Sequence, residues 1–244
     1  METEPDPLTL LRLQIDWGAD EALADTPVDR LAAPPPARPI RRAAAPAPVA
    51  DTPPAAQTLE EWRALVGNFT GCRLRDTATT TVLAEGDVAG RLLVIGEPPG
   101  ADDDRSGRPF SGPAGAVLDR ILSALGLARE KILLVPLIPW RPPGNRPPTD
   151  AELAQCLPLL HQLIALARPR HIVLTGILPT RALLGSTTSL RRARGRWTEL
   201  QLPGQALAVP ALPVTGLTSL KTAAERRDAW LDWRMLHRTI MSQN

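Results

Sequence analysis

From Leu59 onward the chain alternates short apolar runs with stretches of helical periodicity, and this alternation restricts the possible folds. Four of these runs have the length and composition of buried parallel strands, and they lie at residues 92–96, 132–136, 171–176 and 208–214. Helical periodicity marks residues 113–126, 149–167 and 178–185, and Thr149 followed three residues later by Glu152 predicts a capping box at the start of the second of these. Strands that alternate with helices form sheets covered on both faces, so the sequence predicts an α/β fold, a three-layer α/β/α domain with a short central parallel sheet.

The first 56 residues have a different composition. Residues 1–26 contain seven acidic side chains and one Arg, and their apolar spacing predicts an amphipathic helix over residues 7–24. Residues 27–56 contain nine Pro and ten Ala, which predicts a disordered linker. We therefore predict an acidic arm (1–26), a linker (27–56) and a folded domain (57–244). The arm is either a helix that docks on a partner protein or an extension without a specific role.

Charge is unevenly distributed along the chain. The whole chain has a formal net charge of +2, but the bases outside the arm number 27 and the acids 19, a balance of +8. This excess suits DNA as a partner, because bound cations release counterions from phosphates, and it is also typical of well-solvated surfaces. No signal sequence and no apolar run of about 20 residues is found, which predicts a cytoplasmic, nucleoid-associated protein without membrane contact.

Two loops stand where ligands of open parallel sheets bind, beyond the carboxyl ends of strands. The loop at residues 96–115 combines glycines, a run of carboxylates and Phe110 ahead of a helix. The loop at residues 140–148 is basic and rich in proline, so it has little conformational entropy to lose when it binds a phosphate backbone. A basic run at residues 191–197 is either a further phosphate contact or a solvated surface.

The two loops resemble motifs of family 4 uracil-DNA glycosylases. The first begins Gly-Glu-Pro-Pro-Gly at Gly96 and ends in Gly-Arg-Pro-Phe, and the second contains Arg-Pro-Pro-Gly-Asn-Arg at residues 141–146. The resemblance extends from about Gly67 to Trp233. It implies that family's fold, DNA as partner, and a base-excision repair enzyme that flips uracil out of the duplex and hydrolyses its N-glycosidic bond.

The resemblance also assigns candidate site residues. Phe110 matches the Phe on which the family stacks the flipped base, and Gly96 belongs to the same base-binding loop. Glu97 and Asp103 match acidic positions, one of which orients the water or stabilises an oxocarbenium-like sugar. Without the motif, Phe110 would be more typical of a core residue and residues 102–104 of a solvated loop, and the motif reverses this preference. The predicted DNA contacts are Arg108, Arg141, Asn145, Arg146, Arg192 and Arg194.

Two positions depart from the family in the reaction centre. Pro136 stands where the family reads the uracil edge with an Asn, and proline has neither a side-chain donor nor a backbone N–H. Gly216 stands where the family has the His that stabilises the departing uracil anion. Structural or surface roles are expected for the histidines of this chain, which are His161, His171 and His237. Four polar groups lie near the position of the lost His. They either assist a leaving group or simply solvate the loop, and they are Thr215, Thr218, Ser219 and Lys221.

The family's iron-sulfur site is changed as well. The family binds a four-iron, four-sulfur cluster through four Cys, because such clusters need thiolate ligands. Cys72 and Cys156 match the second and fourth ligands, whereas Phe69 and Trp140 stand at the first and third positions. Two thiols are too few for a cluster and for a disulfide framework. We therefore predict that the cluster is lost, that apolar side chains fill its volume and that the protein needs no cofactor.

Two functional hypotheses follow. In the first, the chain is a divergent glycosylase, a hydrolase that removes uracil or another damaged base with Glu97, Asp103 and Phe110. In the second, it is a catalytically inactive module of the same fold, a pseudoenzyme that binds DNA or a protein. The pocket distinguishes them, since an enzyme must present an open, polar cavity at Glu97 and Phe110, whereas an inactive descendant is free to fill it.

Overall fold

The computed structural model describes residues 56–203 and 208–242. The predicted acidic arm, its helix at residues 7–24 and the linker up to residue 55 lie outside the described residues. Within the described ranges, no helix combines the length and apolar character needed to cross a bilayer.

A five-stranded sheet forms the centre of the domain. Its strands are β1 (Leu92–Gly96), β2 (Leu133–Pro136), β3 (His171–Thr175), β4 (Thr198–Leu200) and β5 (Val209–Val214), in the order β2-β1-β3-β5-β4. The four strands predicted from apolar runs are parallel, as expected. The edge strand β4 is antiparallel to β5, so the sheet is mostly rather than wholly parallel. The three residues of β4 are too few and too exposed to give an apolar signal.

Helices cover both faces of this sheet. The described residues contain eight of them: α1 (Leu59–Asn68), α2 (Leu74–Thr77), α3 (Ala101–Ser106), α4 (Pro113–Ala124), α5 (Asp150–Ala167), α6 (Ile177–Leu184), α7 (Leu190–Ala193) and α8 (Ala223–Met241). Short 3₁₀ turns are formed by Arg129–Lys131, Pro143–Asn145 and Leu217–Ser219.

The core consists of two apolar clusters separated by the sheet. Side chains alternate along β1, so that Leu93 and Ile95 join the cluster that contains α1 and α5. Leu92 and Val94 point to the opposite face and join the cluster that contains α4 and α8. The three-layer α/β/α prediction is therefore confirmed.

A capping box fixes the start of α5 and orients the proline-rich loop before it. The Thr149 hydroxyl accepts the Glu152 N–H at 3.2 Å, and the Glu152 carboxylate accepts the Thr149 N–H at 2.7 Å, as the sequence predicted. Arg146 donates two hydrogen bonds to the same carboxylate, at 2.6 and 2.8 Å. This contact lowers the pKa of Glu152 to about 2, so the carboxylate stays ionised and holds the loop on the helix.

Candidate functional site

A cavity of about 200 Å³ opens at the carboxyl ends of β1, β2 and β3. Pockets for drug-sized ligands measure roughly 300–1,000 Å³, so this volume suits a single planar ring. Among the side chains and backbone that line it are Gly96, Glu97, Asp103, Phe110, Pro136, Thr175 and Thr218. The structure thus brings Gly96, Glu97 and Phe110 together, although they come from different parts of a long loop.

Glu97 lies at the wall of the cavity beside two polar groups. The N–H of Ile177, the first residue of α6, and the side chain of Thr218 favour the ionised form of its carboxyl group and so lower its pKa. Burial nevertheless raises the pKa of Glu97, because desolvation disfavours the ionised form. Gly176 makes room for the carboxylate: a Cβ at this position, where φ is +101°, would lie 2.4 Å from Oε1 of Glu97. Glu97 is therefore a partly desolvated carboxylate that faces an open cavity.

Phe110 forms another wall of the same cavity. The tip of its ring lies on the backbone of Gly96, where a Cβ would come within 2.7 Å of Cζ. The ring packs partly against the apolar cluster under α4, and part of it remains exposed. Phe110 thus makes a core contact and also leaves part of its ring at the cavity, and its stacking role stays a prediction.

The acidic residues after Glu97 hold the loop together rather than forming one charged cluster. Asp103 accepts the N–H of Gly100 at 3.0 Å through Oδ2 and that of Ser111 at 2.7 Å through Oδ1. Asp104 is buried and accepts the N–H of Thr79 at 2.8 Å. Asp103 lines the cavity, and its two oxygens bond to the backbone of its own loop, whereas the groups that act on Glu97 belong to two other segments, at Ile177 and Thr218.

The two departures from the family pattern both lie close to Glu97 or the cavity. Pro136 ends β2, pairs in register with Gly96 and lines the cavity. A Cβ at Gly216 would lie 3.7 Å from Oε2 of Glu97 and 3.4 Å from Cα of Gly176. Of the hydroxyl and charged groups proposed near Gly216, Thr218 is the one that contacts Glu97.

Thr175 is a cavity residue that the sequence analysis missed. Its side chain is buried and its hydroxyl donates to the carbonyl of Ile95 at 3.1 Å. A single polar residue that closes an apolar strand at its carboxyl end was the available signal.

Several of the residues predicted to contact DNA are paired with carboxylates. Arg108 bonds to Glu85 at 3.1 Å and Arg146 to Glu152 at 2.6 Å. A phosphate at either position must compete with an existing ion pair.

The remaining residues predicted to contact DNA differ in whether their side chains are already bonded to other side chains. Arg141 donates to Asn145 at 2.7 Å and lies 3.8 Å from Asp104, while Arg194 is anchored to Asp232 at 3.0 Å. Arg192 lies exposed on α7. All six assignments stay predictions.

Aromatic side chains and two thiols occupy the region that corresponds to the family's cluster site. Phe69 stacks on Trp140 with ring centroids 6.0 Å apart and an interplanar angle of 17°. Cys72 and Cys156 are buried, and the interaction between the two thiols lowers the pKa of Cys72. Within residues 56–203 and 208–242, no three His, Cys, Asp or Glu side chains are placed to hold a metal. These residues do not fit a four-iron cluster, which requires four thiolates.

Comparison with known proteins matches residues 83–234 to the uracil DNA glycosylase superfamily. The type-4 uracil-DNA glycosylase of Pyrobaculum aerophilum is 36% identical over 126 residues, which cover 52% of this chain and 64% of that protein. The type-4 enzyme of Thermotoga maritima is 35% identical over 131 residues, covering 53% and 68%. That of Archaeoglobus fulgidus is 32% identical over 145 residues, covering 58% and 73%. The chain thus spans about two thirds of the length of these relatives.

Proposed function

This chain belongs to the uracil DNA glycosylase superfamily, and from that membership we propose that it is a DNA-repair hydrolase that removes uracil or another damaged base. The observation that carries the proposal is the open cavity of about 200 Å³ between Glu97 and Phe110. An inactive descendant has no need to keep such a cavity, or to keep a carboxylate in its wall.

The cavity binds the base after it has left the stack. A flipped base stacks on the exposed part of the Phe110 ring, a contact that tolerates different bases because each has a π face. Pro136 contributes no side-chain donor or acceptor to read the base edge. The site therefore recognises the base mainly by shape and stacking, so its selectivity for uracil is weaker than that of a site with an Asn.

Glu97 supplies the negative charge that the reaction needs. The C1′–N bond breaks as the oxygen of a water molecule bonds to C1′, and the electron pair of the broken bond leaves with the base. The Glu97 carboxylate accepts a proton from the water and stabilises the positive charge on the sugar. Gly112, Pro113 and Ala114 place the N-terminal end of α4 at the cavity, where its partial positive charge favours a departing anion.

The proposed reaction uses no cofactor, and DNA is its substrate. The stacked Phe69 and Trp140 rings supply the packing in the region where two ligands are missing. The changes at Pro136 and Gly216 favour a second candidate function, a glycosylase fold that binds DNA without cutting the glycosidic bond. A protein partner for residues 7–24 is compatible with both functions.

A single-turnover assay tests the proposed function. The purified full chain is mixed in excess with labelled oligonucleotides that carry one uracil, single-stranded and duplex, and abasic sites are measured by alkaline cleavage. The matched control carries thymine at the same position. Excision of uracil but not thymine supports the enzyme. Salt-sensitive binding of both oligonucleotides without any cleavage contradicts it and supports the binding module.

The rate of excision is expected to fall as the pH drops. Glu97 acts as the ionised carboxylate, and burial raises its pKa above the ordinary value of a glutamate, about 4.3. The carboxylate is therefore active above its raised pKa. As the pH falls, it is protonated, and so inactivated, at a higher pH than a solvated glutamate would be. Single-turnover rates between about pH 5 and pH 9 measure the midpoint. A rate that increases toward acid pH would show that a protonated group is required instead.

A further inference from the structure

Phe110 has a backbone conformation that its own side chain disfavours. Its φ is +54°, in the left-handed region, where a Cβ crowds the neighbouring carbonyl. Residues with this conformation persist where surrounding contacts hold them, and they cluster at functional sites. The ring direction over Gly96, and hence the wall of the cavity, depends on this conformation.

Arg129 binds the two carbonyl groups at this point of the loop. One guanidinium nitrogen, Nη2, donates to the carbonyl oxygen of Pro109 at 3.0 Å and to that of Phe110 at 3.4 Å. The other, Nη1, donates to Asp119 on α4 at 2.7 Å, and 21% of the Arg129 side chain is exposed. The planar donor set of Arg serves both partners at once, which an ammonium group does less well.

The carbonyl group of Phe110 has a second contact, with the backbone of α4. A Cβ at Gly115 would lie 1.7 Å from the carbonyl oxygen of Phe110, so the backbone of α4 packs directly against it. The next residue, Ser111, is held through its N–H by Asp103. The carbonyl of Phe110 therefore lies between the guanidinium of Arg129 and the first turn of α4.

We propose that Arg129 is a positioning residue, which fixes the left-handed backbone of Phe110 and thereby aims its ring into the base cavity. Arg129 comes from the 3₁₀ turn before β2 and is not among the residues that line the cavity. Asp119 holds Arg129 in turn and so takes part indirectly. The consequence for base binding rests on the proposed function, whereas the effect on Phe110 itself does not.

The composition of the chain makes the effect on Phe110 directly observable. The sequence contains two phenylalanines, Phe69 and Phe110, so incorporation of ring-¹³C-labelled phenylalanine gives one set of aromatic NMR signals for each and adds no atom to the ring tip that lies on Gly96. The Phe69→Leu variant assigns the signals. Arg129→Ala is expected to shift or broaden the Phe110 signal and to leave the Phe69 signal in place. A Phe110 signal unchanged by this substitution would overturn the proposal.

Two further variants separate positioning from general damage. Arg120→Ala removes another arginine of the same region, one whose guanidinium donates to the carbonyl of Ala116 in its own helix, and it is expected to leave both signals unchanged. If Arg129→Ala moves both signals, Arg129→Lys is measured as well. An effect of Lys that is confined to Phe110 supports the proposal, and an equal effect on both signals contradicts it.

The excision assay adds a functional measurement. Arg129→Ala is expected to raise the protein concentration that gives half the maximal single-turnover rate by about tenfold, as loss of base stacking does. Arg129→Lys is expected to restore part of this loss. Absence of excision by the wild type would contradict the proposed function alone, because the phenylalanine NMR signals still test the role of Arg129. A wild type that excises while Arg129→Ala keeps the same half-maximal concentration would contradict positioning.

Discussion

Replacing Glu97 by Gln is expected to lower the single-turnover rate of base excision by at least about a hundredfold, the scale on which preorganised electrostatic groups contribute. Gln has nearly the shape of Glu, so the cavity and the neighbouring Gly176 are retained. The substitution removes the negative charge and the proton acceptor. It also turns an NH₂ group toward one of two donors, the N–H of Ile177 and the side chain of Thr218.

The measurement compares this variant with a matched control. Glu199→Gln removes one carboxylate from the exposed part of β4 and is expected to keep the wild-type rate. Both variants are expected to bind uracil-free DNA as the wild type does, which separates loss of chemistry from loss of affinity. If Glu97→Gln kept its rate, the reaction would have to use another group, and Asp103 would be the next to replace.

Truncating Trp140 is expected to produce the largest loss of stability. Trp140→Ala should lower the free energy of unfolding by about 3–5 kcal/mol, the usual range for removing a large buried aromatic side chain. The wild-type indole is 1% exposed, stacks on Phe69 and donates to the hydroxyl of Thr81 at 3.1 Å. Removal leaves both a void and an unpaired partner.

Urea unfolding followed by circular dichroism measures this effect. Trp140→Phe is the matched variant, since it keeps an aromatic ring beside Phe69 and loses the hydrogen bond, and it should cost about 1–2 kcal/mol. Iron chelators are expected to leave the wild-type unfolding curve unchanged, because Phe69 and Trp140 stand at two of the four positions where a four-iron cluster requires thiolates. A chelator-sensitive curve, or a small effect of Trp140→Ala, would contradict the repacked site.

The sequence predicted those parts of the fold that depend on local pattern. Apolar runs located β1, β2, β3 and β5, because strands buried on both faces contain few polar residues. Thr149 and Glu152 located the start of α5, because a capping box joins residues three apart. The order of the motif predicted that Glu97 and Phe110 share one loop. In the structure, that loop lines a cavity together with Thr175 and Pro136, which end neighbouring strands.

Contacts between distant residues were not predictable in this way. Arg194 meets Asp232 and Arg108 meets Glu85 only after the chain has folded, and an arginine in a basic run gives no sign of such a partner. The engagement of both Asp103 oxygens within the loop was equally hidden. Arg129 carries no motif, and its role follows only from the two carbonyls within its reach.

The space left by Gly176 makes the evolution of one position depend on another. Any side chain at residue 176 would displace the Glu97 carboxylate, whose Oε1 takes up that volume. The φ of +101° disfavours a side chain there as well, so loss of the glutamate alone does not release the position. Among homologous sequences, the glutamate is therefore expected only together with this glycine, whereas the glycine is expected to persist where the glutamate has been replaced.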